Sequence, residues 1–122
     1  MKLRFRQNSL RLRVNRRELE RLSNGVPLEE QVHFPGDTQL GYVLEGASAT
    51  LPAVDFRAGI IRVAIPSTAI QNWASTDEIG LYFDLPANGR VLNVAIEKDL
   101  ECIDGPPQER DPDAFPRSDK NC

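Results

Sequence analysis

The chain has 122 residues, enough for one domain with a real core, and its 40% hydrophobic and 27% charged content is ordinary for a soluble globular protein. No apolar run is long enough to span a membrane. The basic N-terminus lacks the apolar stretch of a signal peptide, so a cytoplasmic location is expected. The net charge of −3 hides an asymmetry. Residues 1–24 hold Lys2, Arg4, Arg6, Arg11, Arg13, Arg16, Arg17 and Arg21 against Glu18 and Glu20, a balance of +6, which leaves −9 for the remainder. Such a split points to a polyanion site or to one half neutralising the other.

The first element expected is a hairpin. Lys2-Leu3-Arg4-Phe5-Arg6 and Leu10-Arg11-Leu12-Arg13-Val14 both alternate cation and apolar, the mark of half-buried strands. A two-residue turn at Asn8-Ser9 would pair Arg6 with Arg11, Phe5 with Leu12 and Arg4 with Arg13. Leu3, Phe5, Leu12 and Val14 then share one face and the arginines the other. Like charges directly opposite on a sheet are destabilising by about 0.2–1 kcal/mol per pair, so an anion should cover this face. The protein's own carboxylates, a partner chain or a phosphate-bearing ligand would each serve.

Asn15 with Glu18 three residues on has capping-box spacing. Leu19 and Leu22 fall on one face and Asn24-Gly25 is a stop, so a helix of about two turns is expected. Val26, Leu28, Val32 and Phe34 share a strand parity interrupted by Glu30, and Pro35-Gly36-Asp37 ends that strand. Leu40, Tyr42 and Leu44 then point inward from the next one. Gly46–Pro52 reads as a connector of small residues.

An offset of 51 lays the second half on the first. Leu3-Arg4-Phe5-Arg6 falls on Val54-Asp55-Phe56-Arg57, and Leu10–Val14 falls on Ile61–Ile65. Leu19 and Leu22 fall on Ile70 and Trp73. With one inserted residue, Leu44-Glu45 falls on Ile96-Glu97. Ala58-Gly59, Pro66-Ser67, Thr76-Asp77 and Asn88-Gly89 punctuate the second copy. The expected fold is α+β: a single domain over 1–102, with pseudo-symmetric ββαββ units at about 2–45 and 53–98. These form antiparallel sheet, barrel- or sandwich-like, with two short helices. The second copy sets Asp55 against Arg62 where the first sets arginine against arginine, and that contrast directs attention to the first hairpin.

From residue 103 an acidic, Pro-rich tail follows, expected to be unattached. The alternative is that Phe115 docks in a groove while Asp111 and Asp113 meet the arginine face, on this chain or a neighbour. Cys102 and Cys122 are expected to be free thiols. His33 is expected on an outward strand position, without a catalytic role. No zinc cluster, phosphate loop or nucleophile elbow is present. Glu29 and Glu30 point to opposite faces of a strand, so they cannot share a proton, and Glu30 is expected at a sheet edge or against an arginine. Glu97-Lys98-Asp99 reads as a solvated end of the last strand.

Met1-Lys2-Leu3-Arg4-Phe5-Arg6 with Asn8-Ser9-Leu10-Arg11-Leu12-Arg13, then Ile96–Leu100 with Cys102, and Asp113-Ala114-Phe115-Pro116, together resemble an uncharacterised family of small bacterial proteins, a domain of unknown function. Gln7 stands where such sequences more usually have Gly. The resemblance implies a bacterial origin and carries no activity over to this chain. The expected role is a non-enzymatic binding or interaction module without a cofactor or metal, engaging an acidic protein segment or a second copy of itself as a homodimer through Arg4, Arg6, Arg11 and Arg13. Alternatives are an enzyme or sensor acting on a phosphorylated ligand, or nucleic-acid binding through the same face. The sequence pI near 5.2 and the absence of an aromatic residue interleaved on the arginine face weigh against nucleic acid.

Overall fold

The computed structural model describes residues 1–100 together with Pro112, Asp113 and Phe115. The element order is β1 (Lys2–Arg6), β2 (Ser9–Val14), α1 (Arg16–Ser23), β3 (Leu28–Phe34), β4 (Thr38–Ala47), β5 (Ala53–Arg57), β6 (Ile60–Pro66), α2 (Ser67–Ser75), β7 (Gly80–Ala87) and β8 (Arg90–Lys98). The protein is α+β, with two four-stranded sheets ordered β1-β2-β8-β7 and β3-β4-β6-β5. Neither sheet closes into a barrel, and each is mixed rather than wholly antiparallel: β2 runs parallel to β8, and β4 parallel to β6. Each sheet therefore joins the first hairpin of one half of the chain to the second hairpin of the other half. Among the described residues no helix is long and apolar enough to cross a membrane.

The chain divides into two compact units, Met1–Leu19 with the chain from Glu78 onward, and Glu20–Asp77. The first holds the β1-β2-β8-β7 sheet. Alternation buries Leu10, Leu12, Val14, Val94 and Ile96 on one face of it. The second holds the other sheet and α2. Helix α2 packs on β6 and β4 and buries Ile70 and Trp73, and Leu44, Val63 and Ile65 are buried in the same unit. The expected boundary between residues 102 and 103 lies outside the described residues, as do Cys102, Asp111 and Cys122.

The capping box at α1 is present. Asn15 N–H donates to Glu18 Oε1 at 2.9 Å and Glu18 N–H donates back to Asn15 Oδ1 at 2.8 Å. The Met1 ammonium also contacts the Glu18 carboxylate. Gly25, at φ 84°, ends the helix as its left-handed residue.

Three expectations change. The first hairpin turns at Gln7-Asn8, not Asn8-Ser9, so Arg4 faces Arg11, Lys2 faces Arg13, and Phe5 faces Leu10. The arginines keep their shared face because the register moves by an even number of residues. The reason lies in β8. With Ser9 released from the turn, all of Ser9–Val14 pairs with Asn93–Lys98. Asn8 then docks onto β8, its carbonyl accepting from Asn93 N–H at 3.1 Å and its side-chain amide donating to Val91 O at 2.8 Å.

On β3 the inward parity buries only Leu28. Val32 and Phe34 are 43% and 49% exposed, because they sit at the turn end of an edge strand, and Val26 precedes the strand. Glu30 does lie on that edge strand, where it accepts from the Tyr42 hydroxyl at 2.6 Å. Finally, Glu97-Lys98-Asp99 is not a solvated end. Strand β8 is interior to its sheet, and Lys98 and Asp99 are only 8% and 7% exposed.

Candidate functional site: the cationic face of the first hairpin

The antiparallel register of β1 and β2 brings Lys2, Arg4 and Arg6 alongside Ser9, Arg11 and Arg13 on one face. The parallel pairing of β2 with β8 carries that face on to Asn93, Ala95 and Glu97, and β7 adds Tyr82 and Asp84. One half of the face is internally neutralised. Glu97 Oε1 lies 3.2 Å from Arg11 Nε and 3.7 Å from Arg13 Nε. Asp99 Oδ2 lies 2.8 Å from Lys2 Nζ. The Tyr82 hydroxyl donates to Glu97 Oε2 at 2.7 Å, so both carboxylate oxygens are engaged. Gly80 faces Glu97 across the ladder, and a Cβ there would stand 3.0 Å from both the Tyr82 hydroxyl and Glu97 Cγ. The absent side chain is what leaves room for this contact.

The Tyr82 phenol is pushed up to about 12 from its ordinary 10.0. Burial of the hydroxyl is the leading cause, followed by its hydrogen bond to Glu97 and that carboxylate's charge, with Arg11 and Arg13 pulling the other way.

The other half of the face lacks such neutralisation. Arg4 and Arg6 have no carboxylate within ion-pair distance among the described residues, and Arg4 stands directly opposite Arg11. Arg4, Arg6, Ser9 and Arg11 line a small depression open to solvent. The Ser9 hydroxyl donates to Arg6 O at 2.6 Å. The guanidinium groups supply planar, forked donors and no acceptor, a chemistry suited to carboxylate or phosphate oxygens. On the second sheet the corresponding hairpin sets Asp55 opposite Arg62, and Arg62 Nη1 lies 3.2 Å from Glu45 Oε2.

Of the tail residues singled out from the sequence, Asp113 and Phe115 are attached at the start of α1 and the end of β8. Asp113 O accepts from Arg16 N–H at 2.8 Å and its carboxylate lies 3.7 Å from Arg17 Nε. Phe115 N–H donates to Asp99 O at 2.9 Å, and Phe115 bridges to Leu100. Its ring takes Lys98 Nζ at 5.2 Å and Arg16 Cζ at 5.8 Å from the centroid, within cation–π range. The attachment is therefore made to the start of α1 and the end of β8.

Sequence reasoning missed Glu97, Asp99 and Tyr82 as partners of this face. A signal for Glu97 was present, because the internal offset already superposes it on Glu45 and Arg11 on Arg62. His33 is exposed on the edge strand β3, and among the described residues no group of three His, Cys, Asp or Glu side chains could hold a metal ion.

The fold and this face define the class: a small α+β protein of two mixed four-stranded sheets with one cationic hairpin. Residues 1–119 match the family described as "Family of unknown function (DUF7009)", and the chain belongs to that family. No curated protein and no solved structure matches it.

Proposed function

We propose that this protein is a non-catalytic interaction module whose first hairpin engages an acidic segment of a protein partner through Arg4, Arg6 and Arg11. The observation that carries this reading is the contrast within one face. Lys2, Arg11 and Arg13 meet Asp99 or Glu97, while Arg4 and Arg6 meet no carboxylate among the described residues. A like-charge pair such as Arg4 and Arg11 is relieved when an anion lies between them. Arg13, held farther along the face by Glu97, would tune the field rather than touch the ligand.

We also read the two ββαββ halves as an internal repeat. Strands β1 and β5 begin at Lys2 and Ala53, and helices α1 and α2 at Arg16 and Ser67, both offsets of 51 residues. In that reading Asp55 stands where the first half has Arg4, so one copy keeps a local countercharge and the other presents a free one.

The test is binding of a labelled glutamate-rich peptide by fluorescence anisotropy, with wild type against Arg4→Gln/Arg6→Gln. The wild type is expected to bind in a salt-dependent way, and the double variant about tenfold or more weaker with its melting temperature unchanged. Equal binding by both proteins overturns the proposal. Preference for a triphosphate nucleotide or a duplex over the peptide also overturns it, in favour of a phosphate-bearing ligand.

A further inference from the structure

The cationic face ends at a sheet edge. Among the described residues β1 pairs only with β2, so its outer side carries backbone N–H and C=O groups with no described strand beyond them. Such an edge can accept an extended peptide as an added strand. Main-chain hydrogen bonds then give affinity, and alternate side chains give specificity.

The charge on the four edges separates β1 from the others. Strand β1 carries Lys2, Arg4 and Arg6 and no acidic residue. Strand β3 carries Glu29 and Glu30, β5 carries Asp55 with Arg57, and β7 carries Asp84. An added strand on β1 would lay alternate side chains beside Arg4 and Arg6 and over the depression they share with Ser9 and Arg11. The intervening side chains would fall on the opposite face, beside Leu3 and Phe5. Phe5 is 58% exposed there, an aromatic surface at the margin of the sheet.

From these observations we infer that β1 is a docking edge for an extended segment of a partner protein that alternates acidic and apolar residues, added as a fifth strand with its carboxylates on Arg4 and Arg6 and its apolar side chains on Phe5. This deepens the reading given under Proposed function and rests on it. Positive charge along the edge disfavours pairing with β1 of a second copy, since that would set arginines beside arginines. The same charge admits an acidic strand, so the edge discriminates by repulsion as well as attraction.

The experiment uses the full chain and a short peptide alternating glutamate and valine. Two further peptides of the same sequence carry N-methyl groups on alternate amides, one on each set. A strand added at β1 presents one set of its amides to the protein. One methylated peptide is therefore expected to bind about tenfold or more weaker, since each backbone hydrogen bond lost raises the dissociation constant several-fold, while the other binds as the parent. Amide exchange within Lys2–Arg6 is expected to slow when the parent peptide is added.

If the parent and both methylated peptides bind alike, the edge is not used and this inference falls, while the charge-based reading stands. If none of the three binds, both fall. A peptide with glutamine in place of glutamate is expected to lose binding; retention of its affinity overturns the acidic specificity.

Discussion

Arg11 Nε lies 3.2 Å from Glu97 Oε1, across a parallel junction between β2 and β8. The second sheet repeats the relationship with Arg62 Nη1 and Glu45 Oε2, also at 3.2 Å, across β6 and β4. In both sheets a carboxylate on the interior parallel strand neutralises the arginine of the neighbouring hairpin. The edge strand β5 of the second sheet adds Arg57 together with Asp55, whereas β1 adds cations alone, so among the described residues charge exceeds countercharge on the first sheet.

Removing that countercharge should uncover more of the face. Glu97→Gln leaves Arg11 and Arg13 without their shared carboxylate, so retention on a polyanion column is expected to shift to higher salt. Arg11 and Arg13 are about two-fifths exposed, so the ion pairs themselves contribute modestly, and the loss of stability is expected to be about 1 kcal/mol or less by urea denaturation. Unchanged retention would mean that Glu97 does not moderate the field.

Tyr82 supplies a spectroscopic probe of the same carboxylate. With its folded value raised to about 12 against 10.0, the unfolded chain loses this proton first as pH rises. The associated stability is fully present below pH 10 and is lost as pH climbs toward 12. Tyrosinate absorbance is expected to show a late-titrating phenol that Tyr82→Phe removes. Glu97→Gln is expected to move this titration part of the way back toward the ordinary value, because the negative charge disappears and a neutral amide oxygen is a weaker acceptor than a carboxylate. A late titration that persists in Tyr82→Phe would mean that Tyr82 is not its source.

The turn makes a third prediction. Gln7 adopts φ 52° and Ala58, at the corresponding place in the second sheet, φ 51°. A residue with a Cβ is disfavoured there, and glycine is not. Gln7→Gly is expected to stabilise by about 0.5–1 kcal/mol, read as a rise in the denaturant midpoint. Ser9→Gly, by contrast, is expected to destabilise, since Ser9 already pairs with Asn93 and donates to Arg6 O. The opposite order would place the turn at Asn8-Ser9.

The sequence by itself determined what depends on near neighbours. Two-residue alternation set both hairpin strands and placed Arg4, Arg6, Arg11 and Arg13 on one face. The Asn15–Glu18 spacing set the start of α1, and Ala58-Gly59 and Asn88-Gly89 set their turns. The correct turn of the first hairpin was also legible, because the offset of 51 lays Ala58-Gly59 on Gln7-Asn8 rather than on Asn8-Ser9. Tertiary structure alone decided which hairpin joins which. Strands β2 and β8 are separated by most of the chain, and alternation says which face a strand buries but not which strand lies beside it. That long-range pairing placed Glu97 beside Arg11, drew Lys98 and Asp99 out of solvent, and left β1 at an edge with Arg4 and Arg6 unmatched among the described residues.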